Sequence, residues 1–80
     1  MMMPNDAPAL PDPLILVSSD YLSGAPVFNG TRVPIQALFD YIEGGDPLGE
    51  FLDDFPDVSR EHAIAVLELA RKTAVAAAAE

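Results

Sequence analysis

Three aspartates near the middle of the chain have side chains that could bind a divalent cation. Asp53, Asp54 and Asp57 lie close together in the sequence, and carboxylate oxygens are ligands that hard cations prefer. The segment nevertheless lacks the central glycine and the terminal bidentate glutamate of a calcium-binding loop. A solvated, charge-rich helix end explains the cluster better, and we expect no metal site.

The chain has a single histidine, His62, which is its only conventional general base. It follows Glu61 near a predicted helix start, and no serine or cysteine occupies an obvious nucleophile position beside it. We interpret His62 as a surface histidine without a catalytic role. The sequence therefore predicts no catalytic residue and a protein that is not an enzyme.

The segment 24–34 contains Gly24 and Gly30 with Pro26 between them, which suggests a phosphate-binding loop. Such loops carry Gly-Lys-Ser/Thr and open directly into a helix, and neither feature is present. Nucleotide binding is therefore disfavoured, and we expect no cofactor.

A mechanical role accounts for this segment better. Asn29-Gly30 is typical of a turn with positive φ. The Thr31 hydroxyl can bond the neighbouring backbone, and Pro34 is suited to the first turn of a helix. The segment is thus predicted to shape the start of the first helix.

Arg32 lies beside this predicted helix start, where a cation is poorly placed for the helix dipole. Arginine forms bidentate pairs with carboxylates. We predict that Arg32 pairs with the acidic turn of Asp53, Asp54 and Asp57. Contact with a partner protein is the alternative use of its guanidinium group.

The elements that would position these residues begin with a short hairpin. Residues 14–17 form an apolar run of strand formers, and residues 25–28 follow Gly24. Two strands alone are barely stable in water, so we expect the hairpin to lie against helices.

The hydrophobic period becomes helical from Pro34 onward. The first helix ends at the glycines 44–45. Asp46 and Pro47 then act as cap and first residue of a short second helix, which Pro56 limits. The apolar faces of these two helices are Ile35, Leu38, Phe39 and Ile42, then Leu48, Phe51, Leu52 and Phe55.

A third and longest helix is predicted over 60–73, with Ser59 as its N-cap. An Ala-rich helical extension, 74–80, follows it and either frays or packs against a partner helix. The expected apolar face of the third helix is Ala63, Ile64, Leu67, Ala70 and Ala74.

Composition limits the chain to one small domain. Its 80 residues cannot fill two cores, so we predict a flexible tail over 1–13, a three-helix domain over 14–73 and the extension. No apolar run is long enough for a signal peptide or a membrane span. The absence of cysteine fits the cytoplasm.

The net charge of −9 is the wrong sign for broad electrostatic capture of nucleic acid. The same charge would steer the chain toward a basic protein surface. Solubility alone is an equally good explanation of an acidic small protein.

The order of the predicted elements also describes a helix-turn-helix. The segment 60–73 would then be the helix that enters the DNA major groove. Its candidate DNA-reading residues are Arg60, His62, Arg71 and Lys72. They are few for phosphate contacts and base recognition together, although a homodimer or a basic partner could supply more positive charge.

Four motifs follow one another in an order that is shared with a known family. They are 24–34 (Gly-Ala-Pro-Val-Phe-Asn-Gly-Thr-Arg-Val-Pro), 41–45 (Tyr-Ile-Glu-Gly-Gly), 51–56 (Phe-Leu-Asp-Asp-Phe-Pro) and 58–59 (Val-Ser). Over about 14–72 the sequence resembles the family called domain of unknown function 433. Members resemble winged or homeodomain-like helical domains, and many are taken to be VapB-like antitoxins found beside a toxin that resembles PIN-type ribonucleases.

The resemblance thus implies an antitoxin that binds and neutralises a PIN-like ribonuclease. Phe28 and Asn29 stand where family members often carry a β-branched or basic residue. The net charge of −9 disfavours DNA binding by such an antitoxin more than it disfavours toxin binding. The alternatives are a DNA-binding autoregulator that uses 60–73, and a structural adaptor that dimerises through the Ala-rich end of the third helix.

Overall fold

The computed structural model describes residues 10–17 and 24–78. In chain order the elements are the strands β1 (Ile15–Leu16) and β2 (Val27–Phe28) and the helices α1 (Ile35–Glu43), α2 (Leu48–Asp54) and α3 (Arg60–Ala78). The predicted fold class is confirmed: the domain is mainly α, with three helices after a short N-terminal hairpin.

The hairpin pairs Ile15 with Phe28 and Leu16 with Val27 in antiparallel register. It is shorter than predicted, but it lies against the helices as expected, because Val27 and Phe28 are both buried. The Pro13 carbonyl, just before the hairpin, accepts a hydrogen bond from Asn29 Nδ2 at 2.7 Å. Most of the predicted tail, residues 1–9, lies outside the described residues.

The turn between β2 and α1 has the predicted backbone conformation and hydrogen bonds. Gly30 has φ +88°, a conformation that glycine adopts without steric cost. The Thr31 hydroxyl donates to the Phe28 carbonyl at 2.8 Å and accepts from the Val33 N–H at 3.0 Å. The Phe28 N–H donates to the Val33 carbonyl at 2.9 Å, which closes the turn.

The helix termini differ from prediction by one position at the two prolines. Pro34 and Pro47 are N-cap residues with extended ψ, so α1 and α2 begin one residue later, at Ile35 and Leu48. Proline suits this position because it has no N–H and its φ is fixed. The predicted end of α1 is confirmed, since its C-cap is Gly44 and the next residue, also a glycine, has φ +86°.

Helix α3 begins as predicted, because the Ser59 hydroxyl accepts a hydrogen bond from the His62 N–H at 3.0 Å. It continues through the first part of the Ala-rich extension to Ala78. Its predicted buried face is confirmed at Ala63, which is fully buried, and at Leu67, which packs against the core. It is wrong at Ile64, which is 43% exposed, and it missed Val66, which is 2% exposed. The helix is rotated so that His62, Ala63 and Val66 face the core.

The core lies between the hairpin and the three helices. Its largest fully buried side chains are Phe28, Leu38, Phe51 and Val66. The Phe28 and Phe51 rings have centroids 5.9 Å apart, and Phe51 also contacts Phe55 at 5.0 Å. Each helix therefore contributes at least one large buried side chain to a core organised around Phe28 of the hairpin.

Candidate protein-binding surfaces

His62 is the site residue whose place differs most from the prediction. It is 4% exposed, and its Nε2 lies 2.9 Å from the Leu14 carbonyl oxygen. Because a carbonyl only accepts, the Nε2 atom carries the proton and donates it. The imidazole ring packs edge-on against Phe28 with centroids 5.1 Å apart. The interpretation as a surface histidine is therefore wrong, and a side chain enclosed in this way cannot read DNA bases.

The Leu14 carbonyl connects the segment before β1 to the turn after β2 and to α3. Besides His62 of α3, it accepts the Asn29 backbone N–H at 3.0 Å. Phe28 and Asn29 both make contacts inside the fold. Phe28 fills the core, and Asn29 ties its turn to the chain before β1 through both its backbone and its side chain.

The signature residues of 24–34 shape the backbone. Gly24 and Gly30 both have positive φ. The Pro26 carbonyl accepts the Ile35 N–H at 2.9 Å, at the start of α1, and Pro34 forms a bridge with Val27. These contacts direct the chain from the hairpin into the first helix.

Arg32 is exposed, as are the three aspartates with which it was predicted to pair. An ion pair on α3 joins Arg71 and Glu68 at 2.9 Å. The Asp54 carboxylate instead accepts a hydrogen bond from the Tyr41 hydroxyl at 2.5 Å. The pairing of Arg32 with the acidic turn stays a prediction.

The carboxylates that come together in space are not the three that the sequence singled out. Asp54 accepts the Tyr41 hydrogen bond, and Asp46 and Glu50 lie close enough to act on the same phenol. The hydrogen bond to Asp54, partial burial and the negative charges of the three carboxylates raise the pKa of Tyr41 to about 12. Glu50 and Asp54 are four residues apart on α2, so their i,i+4 spacing could have revealed part of this group.

These three carboxylates belong to a longer acidic segment, residues 40–57, which contains no lysine or arginine. All of its acidic side chains are exposed: Asp40, Glu43, Asp46, Glu50, Asp53, Asp54 and Asp57. Among the described residues, no three carboxylate or histidine side chains lie close enough together to hold a metal ion. The acidic segment is therefore a solvated surface of α1, α2 and their flanking turns, suited to contact with positive charge.

A second surface is apolar. A groove of about 380 Å³ lies between β1, α1 and the C-terminal part of α3, with Ile35 and Phe39 on one wall and Leu69, Thr73 and Ala77 on the other. Sequence reasoning missed this groove, because periodicity gives α1 an apolar face without showing which of its residues are covered. Only Leu38 of α1 is fully buried.

The remaining cations lie on α3. Arg60, Arg71 and Lys72 are exposed, which leaves three of the four predicted DNA-reading side chains in contact with solvent. In the described part of the chain, no helix is long and apolar enough to cross a membrane.

Fold and surfaces define a small, mainly α domain built around a hairpin-to-helix turn. The chain matches the family model described as "Protein of unknown function (DUF433)" over residues 15–70, and it belongs to that family. The comparisons with curated proteins and with solved structures give no match.

Proposed function

We propose that this chain is a non-enzymatic binding module of the cytoplasm, and that it is the antitoxin that neutralises a PIN-like ribonuclease toxin. The observation that carries the proposal is the acidic segment, which presents seven exposed carboxylates and contains no lysine or arginine in its sequence. A ribonuclease must present positive charge to bind RNA. An acidic surface of this kind can cover such a site and compete with the RNA backbone.

The three carboxylates around Tyr41 are the part of the segment best suited to this contact. The Tyr41 ring packs against Phe51 and Phe55 with centroids 5.5 and 6.0 Å apart, and its hydroxyl holds Asp54. Asp54 is held in this way and loses less freedom on binding than a carboxylate on a mobile side chain, and the charges of Asp46 and Glu50 lie beside it. Arginine or lysine side chains of the partner would meet them at the surface.

Co-expression with the ribonuclease encoded by the adjacent gene tests the proposal. The chain should relieve toxicity and co-purify with the ribonuclease. The variant Asp46→Asn/Glu50→Gln should weaken the complex by about tenfold or more, because it removes two charges from the contact. The matched control Glu61→Gln/Glu68→Gln removes the same charge from α3 and should bind normally.

Raising the salt concentration should slow association of the complex, since steering by opposite charges is screened. Absence of a complex, or equal losses in the two double variants, would contradict the proposal.

A second candidate function is DNA binding by α3, and one observation favours it. The helix carries three of the four cations of the chain, all exposed. Operator fragments from the chain's own promoter should then be shifted at low salt, and Arg60→Ala should weaken the shift. No shift at low salt, with or without the ribonuclease, would remove this candidate.

A further inference from the structure

The dipeptide Asn29-Gly30 in the turn before α1 places an asparagine amide beside an unhindered backbone nitrogen. Glycine has no β-carbon to shield that nitrogen, and open space lies where the β-carbon of Gly30 would be. Gly30 is exposed, and no described residue accepts a hydrogen bond from its N–H. Asparagine is a chemically labile residue. The turn therefore contains both partners of an intramolecular reaction.

The fold restrains the Asn29 side chain. Its Nδ2 atom donates to the Pro13 carbonyl at 2.7 Å, and its backbone N–H donates to the Leu14 carbonyl at 3.0 Å. The amide must rotate about its side-chain bonds before its carbon can meet the Gly30 nitrogen, and the hydrogen bond to Pro13 opposes that rotation. Local opening of the segment 10–14 thus controls whether the amide is free to react.

We propose that Asn29 deamidates when the segment 10–14 separates from the turn, and that the product keeps the two apart. The Gly30 nitrogen gives its proton to base in the solvent and attacks Cγ of Asn29. The N–Cγ bond forms, the Cγ–Nδ2 bond breaks, and Nδ2 takes a proton from the solvent and leaves as ammonia. Water then opens the cyclic imide, either at the new N–Cγ bond, which leaves aspartate, or at the original peptide bond, which leaves isoaspartate.

The product cannot restore the contact with the segment 10–14. A carboxylate has no N–H to donate, so its oxygens would lie against the Pro13 carbonyl as acceptor against acceptor. Isoaspartate also adds a methylene to the backbone inside the turn, which the Phe28 N–H and the Val33 carbonyl close at 2.9 Å. Deamidation therefore makes a reversible opening permanent. The reaction needs no partner, so it goes beyond the proposed function and does not depend on it.

Peptide mapping of the full chain by mass spectrometry measures the reaction in mildly alkaline buffer, because deamidation raises the mass of a peptide by about 1 Da. In urea, Asn29 should react faster than Asn5, the other asparagine, which is followed by Asp6. In native buffer Asn29 should react at least about tenfold more slowly than in urea, since the closed segment protects it. A rate in urea no faster than that of Asn5, or equal rates with and without urea, would overturn the proposal.

Two variants separate local opening from global unfolding. His62→Phe removes the second donor to the Leu14 carbonyl and should accelerate deamidation of Asn29 in native buffer at least about threefold. Phe55→Leu, the control, alters a ring contact with Phe51 at the end of α2 and should leave the rate near that of the parent chain. Urea denaturation gives the stability of both variants. Acceleration of both in proportion to their loss of stability would show that Asn29 reacts only from the unfolded chain, and would overturn the proposal.

The effect of the product is measured with Asn29→Asp, and Asn29→Ala is the matched control. The alanine removes the Nδ2 hydrogen bond without placing a carboxylate against the Pro13 carbonyl. Protection of the residue 29 backbone amide from hydrogen exchange should be at least about threefold lower in Asn29→Asp than in Asn29→Ala. Protection in Asn29→Asp equal to that of the parent chain would show that the product does not keep the segment apart, and would overturn the proposal.

Discussion

At the residue scale, two polar side chains link distant parts of the chain. The His62 ring fastens α3 to the segment before β1 through the Leu14 carbonyl, across 48 positions of sequence. Tyr41 connects α1 to the end of α2 through Asp54. Both side chains combine a ring packed on the aromatic core with one polar atom that reaches a specific partner.

The first prediction concerns His62. His62→Phe keeps the ring packing against Phe28 but removes the donor to Leu14. It should therefore lower the free energy of unfolding by about 1 kcal/mol. His62→Ala also removes the ring and should lower it by about 3 kcal/mol or more. Urea denaturation of the parent chain and the two variants measures these differences. A His62→Ala variant with an unchanged free energy of unfolding would contradict the structure.

The second prediction concerns the ionisation of the Tyr41 hydroxyl at high pH. Its pKa is about 12 in the folded chain, above the usual 10, because the neutral hydroxyl donates to Asp54 beside other carboxylates. A raised pKa means that the resulting stabilisation is complete below pH 10 and is lost as the pH rises through about 12.

Absorbance titration of phenolate should show one of the two tyrosines ionising late. Asp54→Asn should bring that transition to lower pH, and Tyr41→Phe should abolish it. A late transition that persists in Tyr41→Phe would assign the effect to the other tyrosine.

At the scale of elements, glycine has opposite effects in the turn and in a helix. Gly30 has φ +88° in the turn before α1, with open space where a β-carbon would lie, whereas Gly49 lies within α2 and has equally open space. The two sites therefore differ in backbone conformation and not in packing. They form a matched pair for testing the turn.

The third prediction is that Gly30→Ala destabilises the fold by about 1–2 kcal/mol, because a β-carbon is strained at this φ. Gly49→Ala should stabilise it by up to about 1 kcal/mol, since alanine is the better helix former. Thermal denaturation of the two variants should give melting temperatures on opposite sides of the parent value. A Gly30→Ala variant that melts at or above the parent temperature would show that the turn does not require positive φ.

At the scale of the whole molecule, charge is distributed unevenly. Seven carboxylates fall in residues 40–57 without a cation, while α3 is slightly positive. Like charges held close together destabilise the compact state, and salt screens them. The ion pair of Arg71 and Glu68 adds little, because both side chains are more than half exposed.

The fourth prediction follows from this distribution. The melting temperature should rise between about 50 mM and about 500 mM salt, because repulsion within the acidic segment is screened. The melting temperature of the Asp53→Asn/Asp57→Asn variant should rise less steeply with salt than that of the parent chain. Equal slopes of melting temperature against salt for the two proteins would argue against repulsion within the acidic segment.

The sequence by itself determined the order and kind of the elements. Glycine and proline positions fixed the end of α1 and the starts of α1 and α2 to within a residue, and Ser59 marked the start of α3. The Asn29-Gly30-Thr31 turn was equally readable. These features depend on φ preferences and on hydrogen bonds between near neighbours, which local sequence specifies.

Tertiary structure decided which side of each element is buried. Helix α3 could have faced the core with Ile64, but it instead directs His62 to the Leu14 carbonyl and buries Val66. The same packing brings Tyr41 to Asp54 and leaves Ile35 and Phe39 along an open groove. Periodicity gives a helix an apolar face but not its rotation about its axis, because that angle depends on partners far away in the chain.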